Sequence, residues 1–257
     1  MHRATQPSRQ LYRPFSITSR RASRKVGSMA PRRFAPLDPA KRKEGDERPV
    51  LKGVVFDVDG TLCLPQNYMF AEMRAALGIT KETDILDHIY SLAPAEQDEA
   101  QMKIRAIERT AMASQRPQAG LVQLMDYLDS RAIKKGICTR NFDAPVDHLL
   151  TTFLPKHIFH PVVTREFRPP KPDPAGILHI AKTWMHEDGG ESLIMVGDSA
   201  DDMVAGRRAG AATVLLESDA NRHLKEHECT DMAVGQLDEL IEVLEEGFKG
   251  KDFGEET

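Results

Sequence analysis

From Lys52 onward, short apolar runs alternate with stretches of helical periodicity. Val54–Val58 reads as the first strand, followed by Lys135–Cys138, Ile158–Val163, the apolar run of "SLIMVGD", Thr213–Leu216 and Met232–Val234. Helices are predicted over Gly120–Ile133, around Pro145–Phe153, and from Asp173 as N-cap with Pro174 in the first turn through about Trp184. Two more are predicted over Asp201–Ala209, stopped by Gly210, and over Gln236–Glu246, with Leu237, Leu240, Ile241 and Leu244 as its buried stripe. Such alternation is the pattern of βαβ units, whose crossovers impose parallel pairing. The predicted class is therefore α/β: a Rossmann-like parallel sheet flanked by helices.

One stretch interrupts this rhythm. From Asn67 to about Arg116 no strand-like run occurs, and Ala100, Ile104, Ile107 and Ala111 recur at i, i+4, i+7 and i+11, marking one amphipathic helix face. Residues 65–117 thus read as a small helical cap inserted after the first strand, dividing the core into 51–64 and 118–247. No internal repeat of solenoid period is visible.

Composition changes this picture mainly at the ends. No run approaches the roughly 18 apolar residues of a membrane span, so membrane insertion is not expected. Cys63, Cys138 and Cys229 lie far apart and form no CxxC, which disfavours both a disulfide framework and a zinc knuckle. The net charge of −4 is unevenly distributed. Residues 1–37 hold eight Arg, one Lys and no acid, leaving 26 basic against 39 acidic groups, or −13, for residues 38–257.

An Arg-rich, Ser-rich, acid-free start is the composition of a mitochondrial transit peptide. Arg13, Phe15 and Thr18 have the spacing of a two-step matrix cleavage signal that would cut after about Ala22. A disordered basic tail and a nucleic-acid-binding arm are the alternatives, the second opposed by the acidic body. A start at Met29 would yield a cytoplasmic form. "DPAKRKEGDERP" reads as a charged linker, so residues 1–50 and 248–257 are expected to lie outside the folded body.

Polar residues gather where three predicted strands end: Asp57 and Asp59, then Thr139, then Asp198. In open parallel sheets those carboxyl ends form the ligand crevice, so one shared site is expected. Residues two apart on a strand face the same way, which places Asp57 and Asp59 together. Three carboxylates at close range repel unless a cation sits among them. Mg²⁺ suits such an oxygen-only set, and the absence of His or Cys at ligand spacing disfavours zinc.

These residues resemble the haloacid dehalogenase superfamily, in particular its phosphoglycolate-phosphatase-like phosphatases. Its four motifs occur in order: Asp57-Val58-Asp59-Gly60-Thr61, Thr139, Lys171 in "KPDP", and Gly197-Asp198-Ser199-Ala200-Asp201-Asp202. The resemblance, which covers about Lys52–Glu246, implies that Asp57 is the nucleophile forming an aspartyl-phosphate and that Asp59 is the general acid and then base. It implies Mg²⁺ held by the Asp57 and Asp198 carboxylates and the Asp59 carbonyl, with Asp202 holding metal-bound water or orienting Lys171. Phosphate would be bound by Thr139, Lys171 and the Arg140–Asn141 segment. Arg140 departs from the commonest second motif, in which Asn follows Thr directly; it either binds a substrate anion or faces solvent.

The 82 positions from Asp57 to Thr139 leave room for a cap, whereas the 32 from Thr139 to Lys171 do not. Caps close over small substrates and exclude water, so the expected partner is a small phosphorylated metabolite rather than a phosphoprotein. Phosphoglycolate, a sugar phosphate and a nucleotide monophosphate all stay open, as does monomer or dimer. Asp59 argues against a dehalogenase, which has no leaving oxygen to protonate. A phosphomutase like β-phosphoglucomutase is the rival enzyme, and a non-catalytic metal-dependent scaffold the rival outside enzymes.

Overall fold

A computed structural model describes residues 31–251. Six strands, β1 (Gly53–Phe56), β2 (Lys134–Cys138), β3 (Val162–Val163), β4 (Leu193–Gly197), β5 (Ala212–Leu216) and β6 (Met232–Val234), form one sheet in the order β3-β2-β1-β4-β5-β6. Every pairing is parallel. β1, β4 and β5 are buried at every position, as continuous apolar runs covered on both faces must be. This is the Rossmann-like α/β class expected from the alternation.

Helices α4 (Leu121–Ser130), α5 (Asp143–Phe153) and α8 (Glu239–Glu246) cover one face, packing Leu124, Leu128, Leu149, Leu240 and Leu244 against Phe56 and Val196. On the other face, α6 (Ala175–Thr183) and α7 (Ala200–Ala209) pack Ile177, Ile180, Ala205 and Trp184 against Val55 and Met195. The chain runs outward from β1 through β2 to β3, then returns to the far side of β1 as β4. Strand order therefore reverses between β1 and β4, opening a crevice at their carboxyl ends.

The insertion folds as α1 (Tyr68–Leu77), α2 (Ile85–Ser91) and α3 (Pro94–Met112), around a small core of its own that includes Met69, Met73, Ile89 and Ile104. The buried stripe of α3 is Ala100, Ile104, Glu108 and Ala111, with Ile107 only partly buried at its edge. An acid thus occupies a position on the apolar face.

Several boundaries move. The strand expected over Ile158–Val163 pairs only at Val162–Val163, because Pro161 has no amide to donate and Ile158 is exposed. α6 starts one residue late: the Asp173 carboxylate accepts from the Ala175 amide at 2.9 Å, and Pro174 is the capping residue. α8 begins at Glu239, although Leu237 ahead of it is fully buried.

The folded body also extends beyond both expected limits. Phe34, Leu37 and Phe248 belong to the main core, the Phe34 amide donates to the Phe248 carbonyl at 2.9 Å, and the Gly250 amide donates to the Arg32 carbonyl at 2.8 Å. Residues 34–37 and Phe248 are thus packed structure, whereas most of residues 39–50 is exposed. A few isolated apolar residues among charges carry no periodic signal, and only the groove that receives them reveals their role. The proposed transit peptide lies almost wholly outside the described residues.

Candidate active site

Asp57 directly follows β1, and its amide donates to the Val196 carbonyl of β4 at 3.0 Å, seating it over the strand-order reversal. Lys171 is buried and donates to Asp57 Oδ1 at 2.8 Å and also to Asp202 Oδ1. Its two flanking prolines restrict the backbone, so less entropy is lost in holding the ammonium there. Asp202 is fixed in turn: its Oδ2 accepts from the Ser199 amide at 3.1 Å and from the Ser199 hydroxyl at 2.6 Å, at the start of α7.

Asp198 arrives at the end of β4. One carboxylate oxygen from each of Asp57, Asp198 and Asp202 lies within 4.8 Å of the others. Two glycines permit this crowding. A Cβ at Gly60, where φ is +85°, would stand 2.1 Å from Asp198 Oδ2, and a Cβ at Gly197 would stand 2.3 Å from Asp202 Cβ.

Electrostatics records the same crowding. Burial, then the charges of Asp202, Asp57 and Asp59, raise the Asp198 carboxyl to about 8. Burial, then the Asp57 charge, raise Asp59 to about 7. Burial pushes Asp57 itself upward against the pull of Lys171. One lysine does not neutralise this many carboxylates, and an all-oxygen donor set fits a hard divalent cation. Asp57, Asp198 and Asp202 are the residues able to hold one, and Asp202 already bonds Lys171 and Ser199.

Thr139 ends β2, buried, and does not itself line the cavity; its hydroxyl accepts from the Asn141 amide at 3.2 Å, shaping the turn that presents Asn141. The Arg140 guanidinium is not free in solvent. It donates to Asp84 Oδ2, at the start of α2, and to Asp201 Oδ2, at the start of α7, at 2.5 Å each. Asp84 is the N-cap of α2, its Oδ1 accepting from the Leu86 and Asp87 amides at 2.9 and 3.0 Å. One arginine therefore joins cap and core beside Thr139.

A cavity of about 380 Å³ lies between core and cap, lined by Asp57, Asp59, Asn141, Lys171, Asp198 and Asp202 on the core side. The cap side supplies Phe70, Met73, Ile85 and Leu86, together with Arg74, Asp84 and Glu108. Glu108 pairs with Arg165, in the loop after β3, at 2.5 Å with both side chains buried. Burial raises the Glu108 carboxyl, against the attraction of Arg165.

Asp84, Glu108, Arg165 and Arg74 were not singled out from the sequence. Two of them left a signal: Asp84 precedes the apolar run "ILDHI" as an N-cap does, and Glu108 falls four residues after Ile104 on the buried stripe. Arg165 and Arg74 left none, because their surroundings come from distant parts of the chain.

A cap-covered cluster of carboxylates and one lysine, at the strand-order reversal of a parallel sheet, defines a hydrolase of the haloacid dehalogenase type. The model of the haloacid dehalogenase-like hydrolase family matches residues 51–210, and the chain belongs to that family. It is 48% identical over 202 residues to an uncharacterized hydrolase of Saccharomyces cerevisiae, covering 76% of this chain and 91% of the yeast protein. Among solved structures it resembles a putative phosphoglycolate phosphatase from Lactobacillus plantarum, with a TM-score of 0.62 and 17% identity over 75% of this chain and 99% of that one. It also resembles a mutant of CbbY from Rhodobacter sphaeroides in complex with xylulose-(1,5)bisphosphate, with a TM-score of 0.61 and 19% identity over 74% of this chain and 96% of that one. At these identities the two structures support the fold alone.

Proposed function

We propose that the protein is a Mg²⁺-dependent phosphatase acting on a small phosphorylated metabolite. The observation that carries this reading is Asp57: a carboxylate at the floor of a cap-covered cavity, bonded to Lys171 and crowded by Asp198 and Asp202. Three further considerations support it: the family, the solved structures of similar fold, and a cavity with room for a small ester rather than a folded partner.

In this reading an Asp57 oxygen attacks phosphorus, the bond from phosphorus to the leaving oxygen breaks, and an aspartyl-phosphate forms. Asp59, two residues on and lining the same cavity, gives its proton to the leaving oxygen. Water then attacks phosphorus, Asp59 takes back a proton, and the bond to Asp57 breaks to release phosphate. Lys171, Asn141 and the turn at Thr139 supply positive charge and donors to the transferred oxygens. Asp57 and Asp198, with Asp202 at the edge, would hold Mg²⁺, which when bound neutralises negative charge on the phosphoryl group. The cap excludes bulk water, and its apolar wall strengthens each of these interactions.

The test is phosphate release from a panel of phosphate esters with Mg²⁺, by the wild-type chain and by Asp57→Asn. The variant is expected to lose at least roughly 10³-fold in turnover, the scale on which covalent and electrostatic catalysis act together. Normal release by the variant would sink the mechanism. Conversion of a hexose 1-phosphate without net phosphate release would replace phosphatase by mutase.

A further inference from the structure

Among the described residues, four cations line the cavity: Lys171, Arg140, Arg165 and Arg74. The first three are committed to carboxylates: Lys171 to Asp57 and Asp202, Arg140 to Asp84 and Asp201, and Arg165 to Glu108. Arg74 differs. Among the described residues no ion pair holds its guanidinium, whose one hydrogen bond is a long 3.4 Å donation to the Phe70 carbonyl; its Nε, like that of Arg165, is buried without a partner. Glu82 feels its charge only as the weakest of five influences, behind the hydrogen bond from Thr80.

The surroundings make that charge consequential. Phe70 and Arg74 stand one turn apart on α1, and both line the cavity. Beside them the cap wall is largely apolar, with Met69, Met73, Ile85 and Leu86, and its two carboxylates, Asp84 and Glu108, are already paired with Arg140 and Arg165. A ligand filling this space displaces the water around the guanidinium and replaces it with hydrocarbon, where an unmatched charge is costly and a matched one gains strength. The catalytic carboxylates lie on the opposite, core side of the same cavity. A substrate spanning the two walls therefore puts its phosphate at Asp57 and its far end at Arg74.

We propose that Arg74 is a specificity-determining residue that selects substrates whose leaving group carries its own oxyanion, a carboxylate or a second phosphate. Either group matches the planar donor fork of a guanidinium, whereas a neutral polyol leaves it unpaired. This inference rests on the phosphatase reading and adds the chemistry of the leaving group. The rival role for Arg74 is a basic residue in the last turn of α1, which complements the helix dipole and affects stability but not choice of substrate.

The experiment compares kcat/KM of the full-length wild-type chain, Arg74→Gln and Arg74→Lys, with Mg²⁺, on three esters. These are phosphoglycolate for the carboxylate arm, a hexose bisphosphate for the phosphate arm, and glycerol 1-phosphate for a neutral body. Wild type is expected to prefer at least one anionic ester. That preference, as a ratio over the neutral ester, is expected to fall about ten- to hundred-fold in Arg74→Gln, mainly through KM, and to recover in part in Arg74→Lys. The ratio is internal to each preparation, so partial misfolding does not imitate the effect. The arm that falls identifies the oxyanion. Ratios unchanged within about two-fold on both arms, or a wild-type preference for glycerol 1-phosphate, overturn the role of Arg74 and leave the phosphatase reading standing. Absence of phosphate release from every ester overturns both.

Discussion

Gly60 carries more of the site than its lack of a side chain suggests. It turns the chain after Asp59 at φ +85° and leaves the space that the Asp198 carboxylate enters. Alanine there would combine an unfavourable left-handed conformation, costing about 1–3 kcal/mol, with a Cβ 2.1 Å from Asp198 Oδ2. Gly60→Ala is expected to lower the urea midpoint accordingly and to reduce turnover at least about ten-fold by displacing Asp198. Unchanged turnover in this variant would show that Asp198 does not need its present position. The residue scale was also where motif spacing was most legible, since Asp57, Asp59, Lys171 and Asp198 each sit at a strand end or in a turn, and Asp202 in the first turn of α7, all marked by local sequence.

At the scale of elements, the joint between cap and core is electrostatic. Arg140 bridges the first turns of α2 and α7, and the Glu108–Arg165 pair ties α3 to the loop after β3. Tyr90 adds a hydroxyl donation to the Arg165 carbonyl at 3.3 Å, and the Arg168 guanidinium stacks 3.7 Å above the Tyr90 ring. Burial pushes the Asp84 carboxyl up, but the Arg140 hydrogen bond and the α2 amides pull harder, and its pKa is lowered from 3.8. A lowered folded-state pKa means stability that is present above the unfolded value and lost as pH falls through the folded one.

Asp84→Asn keeps an N-cap acceptor for the α2 amides, removes the charge, and replaces the oxygen that accepts from Arg140 with an amide donor. Asp84 is 39% exposed, so after solvent screening the variant is expected to lose about 0.5–1 kcal/mol near neutral pH. The gap to wild type, followed by denaturant unfolding, should be complete above about pH 5 and close as pH falls further. A gap independent of pH would remove charge from the explanation.

At the scale of the whole molecule, the two ends of the described chain close on each other and on the sheet. Phe34 and Phe248 are buried with ring centroids 5.9 Å apart, beside Leu37, Leu240 and Leu244. Truncating a buried phenyl removes its transfer free energy and leaves a cavity, so Phe34→Ala is expected to cost about 3–5 kcal/mol in urea unfolding. A loss below about 1 kcal/mol would mean that residues 31–37 only rest on the surface. The same segment sets a practical limit, since a truncation that removes residues 1–37 also removes Phe34, Ala35 and Leu37 from the core.

The alternation of strand and helix, the insertion after β1 and the positions of the clustered carboxylates were determined by the sequence alone, because each is written in local periodicity or in motif spacing. Only the tertiary structure decided which residues outside those motifs complete the site. Arg140 became a bridge between cap and core, and Glu108 and Arg165 a buried pair. Arg74 became, among the described residues, the cavity cation without an ion pair, and Phe34 and Phe248 a terminal clasp. Each depends on groups distant in sequence, up to 214 positions apart for the two phenylalanines. A contact of that kind comes from folded packing and leaves no periodic trace in the chain.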